Sequence, residues 1–294
     1  MPELPEVQAA VDYLRKRVVG CRIIATKILW GRSIAKLSPA TFIRRLKGCS
    51  ITEVFRRGKY ICAALSSARS RESQFLFIHL RMSGSVDVLG SKIPVDPYDR
   101  VIFELDSGKT LRFNDVRKFG KISLVNEQSV ITDNLGPEPL DGKLTDKLFY
   151  TALQCRKRRI KPLLLDQAFL AGVGNIYADE ALWSSSLHPA TLSHQISEES
   201  ARLLLAAIRT ILLEAISLAG TDFGDGVVSE GMYRPKVYGR AKSQCYRCGK
   251  GIVRLVVAQR GTHICPHCQK QKKSSSQSTG LRRTRMRRQA GKGN

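Results

Sequence analysis

Four cysteines near the C-terminal end constrain this chain more tightly than anything else in it. They form two pairs, Cys245-x2-Cys248 and Cys265-x2-Cys268, sixteen residues apart. Paired knuckles of this kind let four thiolates close a tetrahedron around zinc, and the intervening IVRLVVAQRGTHI suits a β-hairpin. With sulfur at all four positions the shell is closed, so the single zinc ion is structural and has no open position for catalysis. His263 and His267 lie beside the second knuckle, but the cysteines complete the shell without them. Disulfides are the competing reading, and the first residues do not read as an export signal. Arg260-Gly261 falls near the hairpin tip, which would present an arginine outward. The other cysteines, Cys21, Cys49, Cys62 and Cys155, are scattered and are expected as buried free thiols.

Charge narrows the partners. Forty-nine Lys and Arg against 25 Asp and Glu give a net charge of +24. Residues 270–294 hold nine basic and no acidic residues, so residues 1–269 still carry +15. A basic folded part points to a polyanion, and nucleic acid is the default. The segment 271–294 is serine-rich and poor in apolar residues, and is expected to be a disordered basic tail. No apolar run reaches the ~18–20 residues that span a bilayer. The chain therefore reads as soluble and intracellular, in the cytoplasm or nucleoid, with no membrane partner.

The chain opens Met1-Pro2-Glu3-Leu4-Pro5-Glu6-Val7. If Met1 is removed, Pro2 becomes a free secondary amine, and α-amino groups have pKa values near 7.7–8. Such an amine can attack a sugar carbon and form an iminium, with Glu3 placed to move a proton. On these residues alone an ordinary helix entry explains as much, with proline in the first turn and acids complementing the dipole.

Val7, Val11, Leu14 and Val18 make one stripe of a helix over 5–19. A strand follows over 22–30, and Ser38-Pro39 opens a short helix closed by Gly48. From 51 to 125 come ITEVFRR, KYICAAL, FLFIHL, RVIFELD, TLRFN and KISLV, mostly parted by glycine turns. This half is expected to be a β-sandwich or barrel with the first helix laid against it. Periodicity stops at Gly136-Pro137-Glu138-Pro139. Helical patterns follow at 145–157, 162–170, 175–185 and 197–218. Between the second and third, Ala171-Gly172-Val173-Gly174-Asn175 supplies a tight turn and an N-cap asparagine, a helix start that could seat a phosphate, although taken alone a plain interhelical turn explains it better. Domains are expected at 1–135, 151–240 and 241–270, with a linker over 136–150 and the tail after.

Taken in order, PELPEV at 2–7, RRGKY at 56–60, HLRMSG at 79–84, RKFG at 117–120, GVGNIYADE at 172–180, VYGR at 237–240 and the hairpin ending RGTHICPHCQ resemble one family. It is the formamidopyrimidine-DNA glycosylase and endonuclease VIII family of base-excision repair, and PELPEV with RKFG favours its formamidopyrimidine branch. The resemblance spans nearly all of residues 1–271. It implies an α+β fold: an N-terminal β-sandwich with a packed helix, a helical domain with a helix–two-turn–helix, and a zinc-ribbon hairpin. It implies an enzyme that removes oxidised or ring-opened purines from damaged double-stranded DNA and then cleaves the abasic site by β- and δ-elimination; a monomer is expected, although the sequence leaves the oligomeric state open.

In that resemblance Pro2 is the nucleophile at C1′, Glu3 its acid/base partner and Glu6 a supporting carboxylate. Lys59 is the proton donor of strand cleavage, and Arg260 grips a phosphate and serves the second elimination. Asn175, Lys161 and Lys157 hold backbone phosphates. Met82, Arg117 and Phe119 fill the void left by a flipped base; packing in the core is the ordinary alternative for Met82 and Phe119. Lys118 and Tyr98 stand where relatives contact DNA, Tyr98 in place of a common histidine. The interval from Gly220 to Lys236 is shorter than the family's lid over the flipped base, which implies weak excision of 8-oxoguanine relative to formamidopyrimidines and hydantoins. A non-catalytic zinc-ribbon nucleic-acid binder remains the alternative, and it has no use for a free Pro2-Glu3 terminus.

Overall fold

The computed structural model describes residues 1–67, 70–221 and 231–271. Most of the expected shortened lid, and all of the expected tail but its first residue, lie outside the described residues. The first helix, α1 (Leu4–Val18), begins with Pro5 in its first turn and ends on Arg15, Lys16 and Arg17 beside its negative pole. Its Val7, Val11, Leu14 and Val18 are buried. After β1 (Ile23–Ile28) and a two-residue β2 (Ile34–Ala35) comes α2 (Pro39–Leu46), where Ser38 Oγ accepts the Thr41 N–H at 3.2 Å. The strands β3 (Cys49–Arg57), β4 (Tyr60–Ser67), β5 (Ser70–His79), β6 (Gly84–Gly90), β7 (Asp99–Leu105), β8 (Lys109–Asp115) and β9 (Lys121–Val125) complete this half.

They form two sheets, in the orders β1-β7-β8-β6 and β2-β9-β5-β4-β3. All pairs are antiparallel except β2 with β9. The apolar stripe of α1 joins Phe42, Phe103, Phe113 and the inward aliphatic residues of both sheets in one core. The sandwich is therefore sealed by α1. β6 is an additional strand, absent from the sequence expectation.

A single turn, α3 (Ser129–Thr132), leads to the helical half: α4 (Asp146–Gln154), α5 (Ile160–Leu164), α6 (Asn175–Ser184) and α7 (Glu198–Ser217). α5 is shorter than the expected 162–170 and starts before Pro162. Proline is tolerated there because N–H groups of a helix's first turn lack an intrahelical partner. Two consecutive turns over 165–174 join α5 to α6, the expected helix–two-turn–helix. Leu4, although it belongs to α1, packs into the core of this second half with Leu170, Val173 and Tyr177. The chain closes with the hairpin β10 (Val253–Val257) and β11 (Arg260–Ile264). Among the described residues, no helix is long and apolar enough to cross a membrane. Of the scattered cysteines Cys49 and Cys62 are buried as expected, but Cys21 is half-buried and Cys155 exposed. Cys155 follows α4 directly, in a stretch where Lys157, Arg158 and Arg159 are exposed.

Candidate active site and nucleic-acid interface

Helix α6 is short, yet Ile176 through Trp183 are all buried, polar residues included. Burying charged groups is costly unless each finds a partner, so every polar side chain on α6 must be accounted for. Its N-terminal end receives Glu3. Glu3 Oε1 accepts the Ile176 N–H at 3.0 Å, and Oε2 lies 3.5 Å from the Tyr177 N–H. The seat expected for a phosphate is thus filled by the chain's own carboxylate. The N-cap is Gly174 rather than Asn175, because Glu3 does the capping from outside the helix. Gly174 allows this: a Cβ there would lie 2.3 Å from Glu3 Cδ.

Glu6 takes three donors, as a carboxylate does. Oε2 accepts the Glu3 N–H at 2.7 Å, while Oε1 accepts the Thr221 N–H at 2.8 Å and the Tyr177 hydroxyl at 2.5 Å. Burial, and then the neighbouring Glu6, push the Tyr177 phenol far above its ordinary range, so it stays a donor. Pro2 is buried at the start of this arrangement. Lys59 approaches from the β3–β4 turn and is only 7% exposed, unlike an ordinary turn lysine. Burial raises Glu3 above its usual 4.5, opposed chiefly by Lys59. Burial likewise lowers Lys59 below its usual 10.5, opposed by Glu3 and Glu6 and reinforced by Arg260. An acid that gives up its proton less readily than usual and an ammonium that releases one more easily sit together, a pairing suited to proton transfer.

Arg260 is exposed at the start of β11, after a tight turn in which Ala258 and Gln259 both have positive φ. Lys161, expected on a phosphate, has no exposed surface. Its Nζ lies 2.6 Å from Asp179 Oδ1, 2.8 Å from Thr262 Oγ1 and 3.0 Å from Gly261 O. Two hydrogen bonds and an ion pair enclose an ammonium that has no exposed surface, so here Lys161 ties α5 to α6 and to the strand carrying Arg260. Asp179 Oδ2 accepts the His263 N–H at 2.8 Å, a second tie to that strand. Asn175 is half-buried, its Nδ2 donating to Gly261 O at 3.1 Å, and Lys157 is exposed.

Behind the hairpin, the four cysteine Sγ atoms all lie within 4.8 Å of one another. Cys248 and Cys265 are 3.4 Å apart, Cys245 and Cys268 4.0 Å. Four sulfurs about 2.3 Å from one zinc stand about 3.8 Å apart in a tetrahedron, so the residues fit one structural zinc ion. Trp183 Nε1 donates to Cys245 Sγ at 3.4 Å and joins this knuckle to α6. His263 is buried against Asp179 and His267 exposed; neither belongs to the four-sulfur cluster.

Met82 and Phe119 are 41% and 50% exposed, so core packing does not explain them. They stand on adjacent loops held together by the buried Asp115. Its Oδ1 accepts from Ser83 Oγ at 2.5 Å and from the Arg117 N–H at 3.2 Å, and its Oδ2 accepts from the Gly120 N–H at 2.7 Å. The Arg117 guanidinium lies 5.3 Å over the Phe119 ring and Lys118 Nζ 4.3 Å over Trp30. Tyr98 is exposed beside them, and its carbonyl accepts the Asp115 N–H at 3.0 Å. Sequence reasoning missed Tyr177, Thr221, Asp179 and Asp115, which touch the named residues from behind. Only Tyr177 and Asp179 carried a signal, lying inside the GVGNIYADE motif.

Three family models match in succession: the formamidopyrimidine-DNA glycosylase N-terminal domain over residues 1–122, the H2TH domain of the same enzymes over 135–225, and the zinc finger found in FPG and IleRS over 243–271. The formamidopyrimidine-DNA glycosylase of Protochlamydia amoebophila is 42% identical over 280 residues, covering 92% of this chain and 100% of the relative. That of Herpetosiphon aurantiacus is 41% identical over 277 residues, with the same coverage. Among solved structures, Lactococcus lactis Fpg in complex with DNA containing N7-benzyl-Fapy-dG superposes with a TM-score of 0.85 at 35% identity, covering 92% of this chain and 100% of that one. The same protein in complex with DNA containing an abasic site gives 0.84, with the same identity and coverage. On this likeness along its whole described length, the chain belongs to the formamidopyrimidine-DNA glycosylase family.

Proposed function

We propose that this chain removes oxidised or ring-opened purines from double-stranded DNA through a covalent intermediate on Pro2, and then cleaves the abasic strand. Family membership makes it a DNA glycosylase of base-excision repair. The observation that carries the residue assignment is a buried Lys59 on which Glu3, Glu6 and Arg260 all act electrostatically, with buried Pro2 directly before Glu3. Burying two carboxylates and an ammonium opposes folding unless function repays it, which a mere binder would not need.

Once Met1 is removed, the lone pair of the Pro2 nitrogen forms a bond to C1′ of the damaged nucleotide. The bond from C1′ to the base breaks, its electron pair leaving on the base, which takes up a proton. Glu3, whose proton burial makes harder to lose, gives a proton to the sugar ring oxygen, and ring opening turns the adduct into an iminium. Loss of the C2′ proton then expels the 3′ phosphate, with Lys59 donating a proton as the strand parts. A second elimination, with Arg260 on the phosphate, expels the other end, and water returns the free amine. Glu6 holds the Glu3 backbone so that amine and acid keep their spacing. Met82, Arg117 and Phe119 occupy the space of the extruded base, and Asn175, Lys157, Lys118 and Tyr98 face the DNA backbone. Lys161 acts through the placement of Arg260. The zinc ion takes no chemical part; it folds the hairpin. Every one of these residues comes from one chain, which supports action as a monomer, in the compartment where the DNA lies.

Borohydride reduction with abasic duplex tests the reading: a covalent protein–DNA adduct is expected, and a blocked N-terminus should abolish it. An adduct that persists on the blocked chain would move the nucleophile from Pro2 to a lysine.

The pH dependence is a separate expected result. Lys59 must be charged to donate, so strand cleavage should fall on the alkaline side below the ordinary lysine range. Glu3→Gln removes a negative charge that raises Lys59 and should move that limb to lower pH. Arg260→Gln removes a positive charge that lowers Lys59 and should move it to higher pH. Single-turnover cleavage of preformed abasic duplex across pH measures both shifts, and equal directions would overturn the assignment of the limb to Lys59.

A further inference from the structure

The Gly136-Pro137-Glu138-Pro139 stretch, where the sequence periodicity stops, brings a carboxylate into a crowded place. The Glu138 side chain is 14% exposed. Its Oε2 lies 2.6 Å from Arg56 Nη2; its Oε1 accepts the Gly58 N–H at 2.6 Å and lies 3.4 Å from Arg57 Nη1. These are the three residues that lead into Lys59. The arginines complete the grip. Arg57 Nη2 donates to the carbonyls of Leu135 and Gly136 at 3.2 and 2.8 Å. Arg56 Nη1 donates to the Gly58 carbonyl at 3.2 Å, and its Nε donates to Gln8 Oε1, on α1, at 2.9 Å.

Gly58 and Lys59 are the whole of a two-residue loop, since Arg57 pairs with Tyr60. Gly58 has φ +56°, and glycine first is the signature of a II′ hairpin turn. A loop this short has little freedom beyond rotation of its peptide planes. Glu138 holds the N–H of one such plane, and Arg56, itself held by Glu138, holds the carbonyl of the next. The same Arg56 is tied to α1, the helix that Pro2 and Glu3 directly precede.

We infer that Glu138 is a positioning residue for Lys59: from the segment between the two halves of the protein it fixes the turn that aims the ammonium at the site. The inference rests on the reading of Lys59 as the donor in strand cleavage. It separates Glu138 from a merely stabilising ion pair, because Pro2 and Glu3 are held by other contacts and the iminium should still form without it.

The test uses the full-length chain with a free Pro2 and preformed abasic duplex, at saturating protein in single turnover. Two rates are read on each variant: borohydride-trappable adduct and strand cleavage. Glu138→Ala is expected to slow cleavage about 100-fold, the scale of an ångström's misplacement, with trapping within a few-fold of the parent. Glu138→Gln keeps an acceptor for the Gly58 N–H and should restore cleavage to within about tenfold. If Glu138→Ala does not fold, the ratio of cleavage to trapping in Glu138→Gln decides, and it should fall at least about threefold. Equal slowing of both rates, or no change in their ratio, overturns the inference. Lys59→Met is the control on the reading beneath it: if that variant cleaves as the parent does, the role of Lys59 fails, whatever Glu138 does.

Discussion

Excision of a damaged base should fall by about 10²–10⁴-fold when Glu3 is replaced by glutamine, the range that a positioned acid contributes. Cleavage of a preformed abasic site should stay within about tenfold of the parent. The asymmetry follows from the chemistry. A damaged nucleotide has a closed sugar ring whose oxygen must be protonated before an iminium can form, whereas an abasic sugar already opens to an aldehyde without help. The substitution is nearly isosteric, and the new amide retains an oxygen for the Ile176 N–H that Glu3 now accepts at 3.0 Å. Single-turnover rates on the two substrates, measured side by side, give the comparison. Parallel loss on both would mean that Glu3 serves the fold at the end of α6 and moves no proton.

Gly174→Ala should be nearly as damaging without touching an ionisable group. The added Cβ would lie 2.3, 2.4 and 2.7 Å from Glu3 Cδ, Oε1 and Oε2, closer than real contacts come. Glu3 must then leave the end of α6, and the N–H groups of Ile176 and Tyr177 lose their acceptor inside the protein. Excision should drop about 100-fold from misplacement alone. Stability should fall by about 1–3 kcal/mol for a buried donor left unpaired. Excision assays and thermal melts read the two effects. A fully active Gly174→Ala enzyme would show that Glu3 works from some other position.

The pattern of apolar residues carried most of the architecture. The valine and leucine stripe of α1, the strands from 51 to 125 and the long α7 were all legible, because their periods of 3.6 and 2 are local properties of the chain. β6 was not: GSVDVLG is bounded by glycines, half-exposed, and defined by pairing with β8 more than by its own residues. The zinc cluster was legible from spacing, since four thiolates leave little else to do. What the sequence hid were meetings between distant residues. Nothing near Lys161 announces Asp179, eighteen residues on, or Thr262, a hundred and one away, so its burial could not be read and a phosphate seemed its natural partner. The free end of α6 was visible as an anion seat, but its occupant lies more than 170 residues earlier.

The division of α1 between the two cores has a consequence for the newly made chain. Val7, Val11, Leu14 and Val18 are buried in the sandwich, but Leu4 is buried among Leu170, Val173 and Tyr177, and the Leu4 N–H donates to the Gly172 carbonyl at 3.1 Å. Domains generally fold in the order in which they leave the ribosome, N-terminal first. The sandwich can therefore gather up α1 while the segment that receives its first residues is still being made. Pro2 is among the first residues synthesised and among the last to be seated. Until α6 arrives to accept Glu3, the acid beside the amine has no fixed position, and a chain stopped short of that helix would carry the proposed nucleophile without its positioned acid.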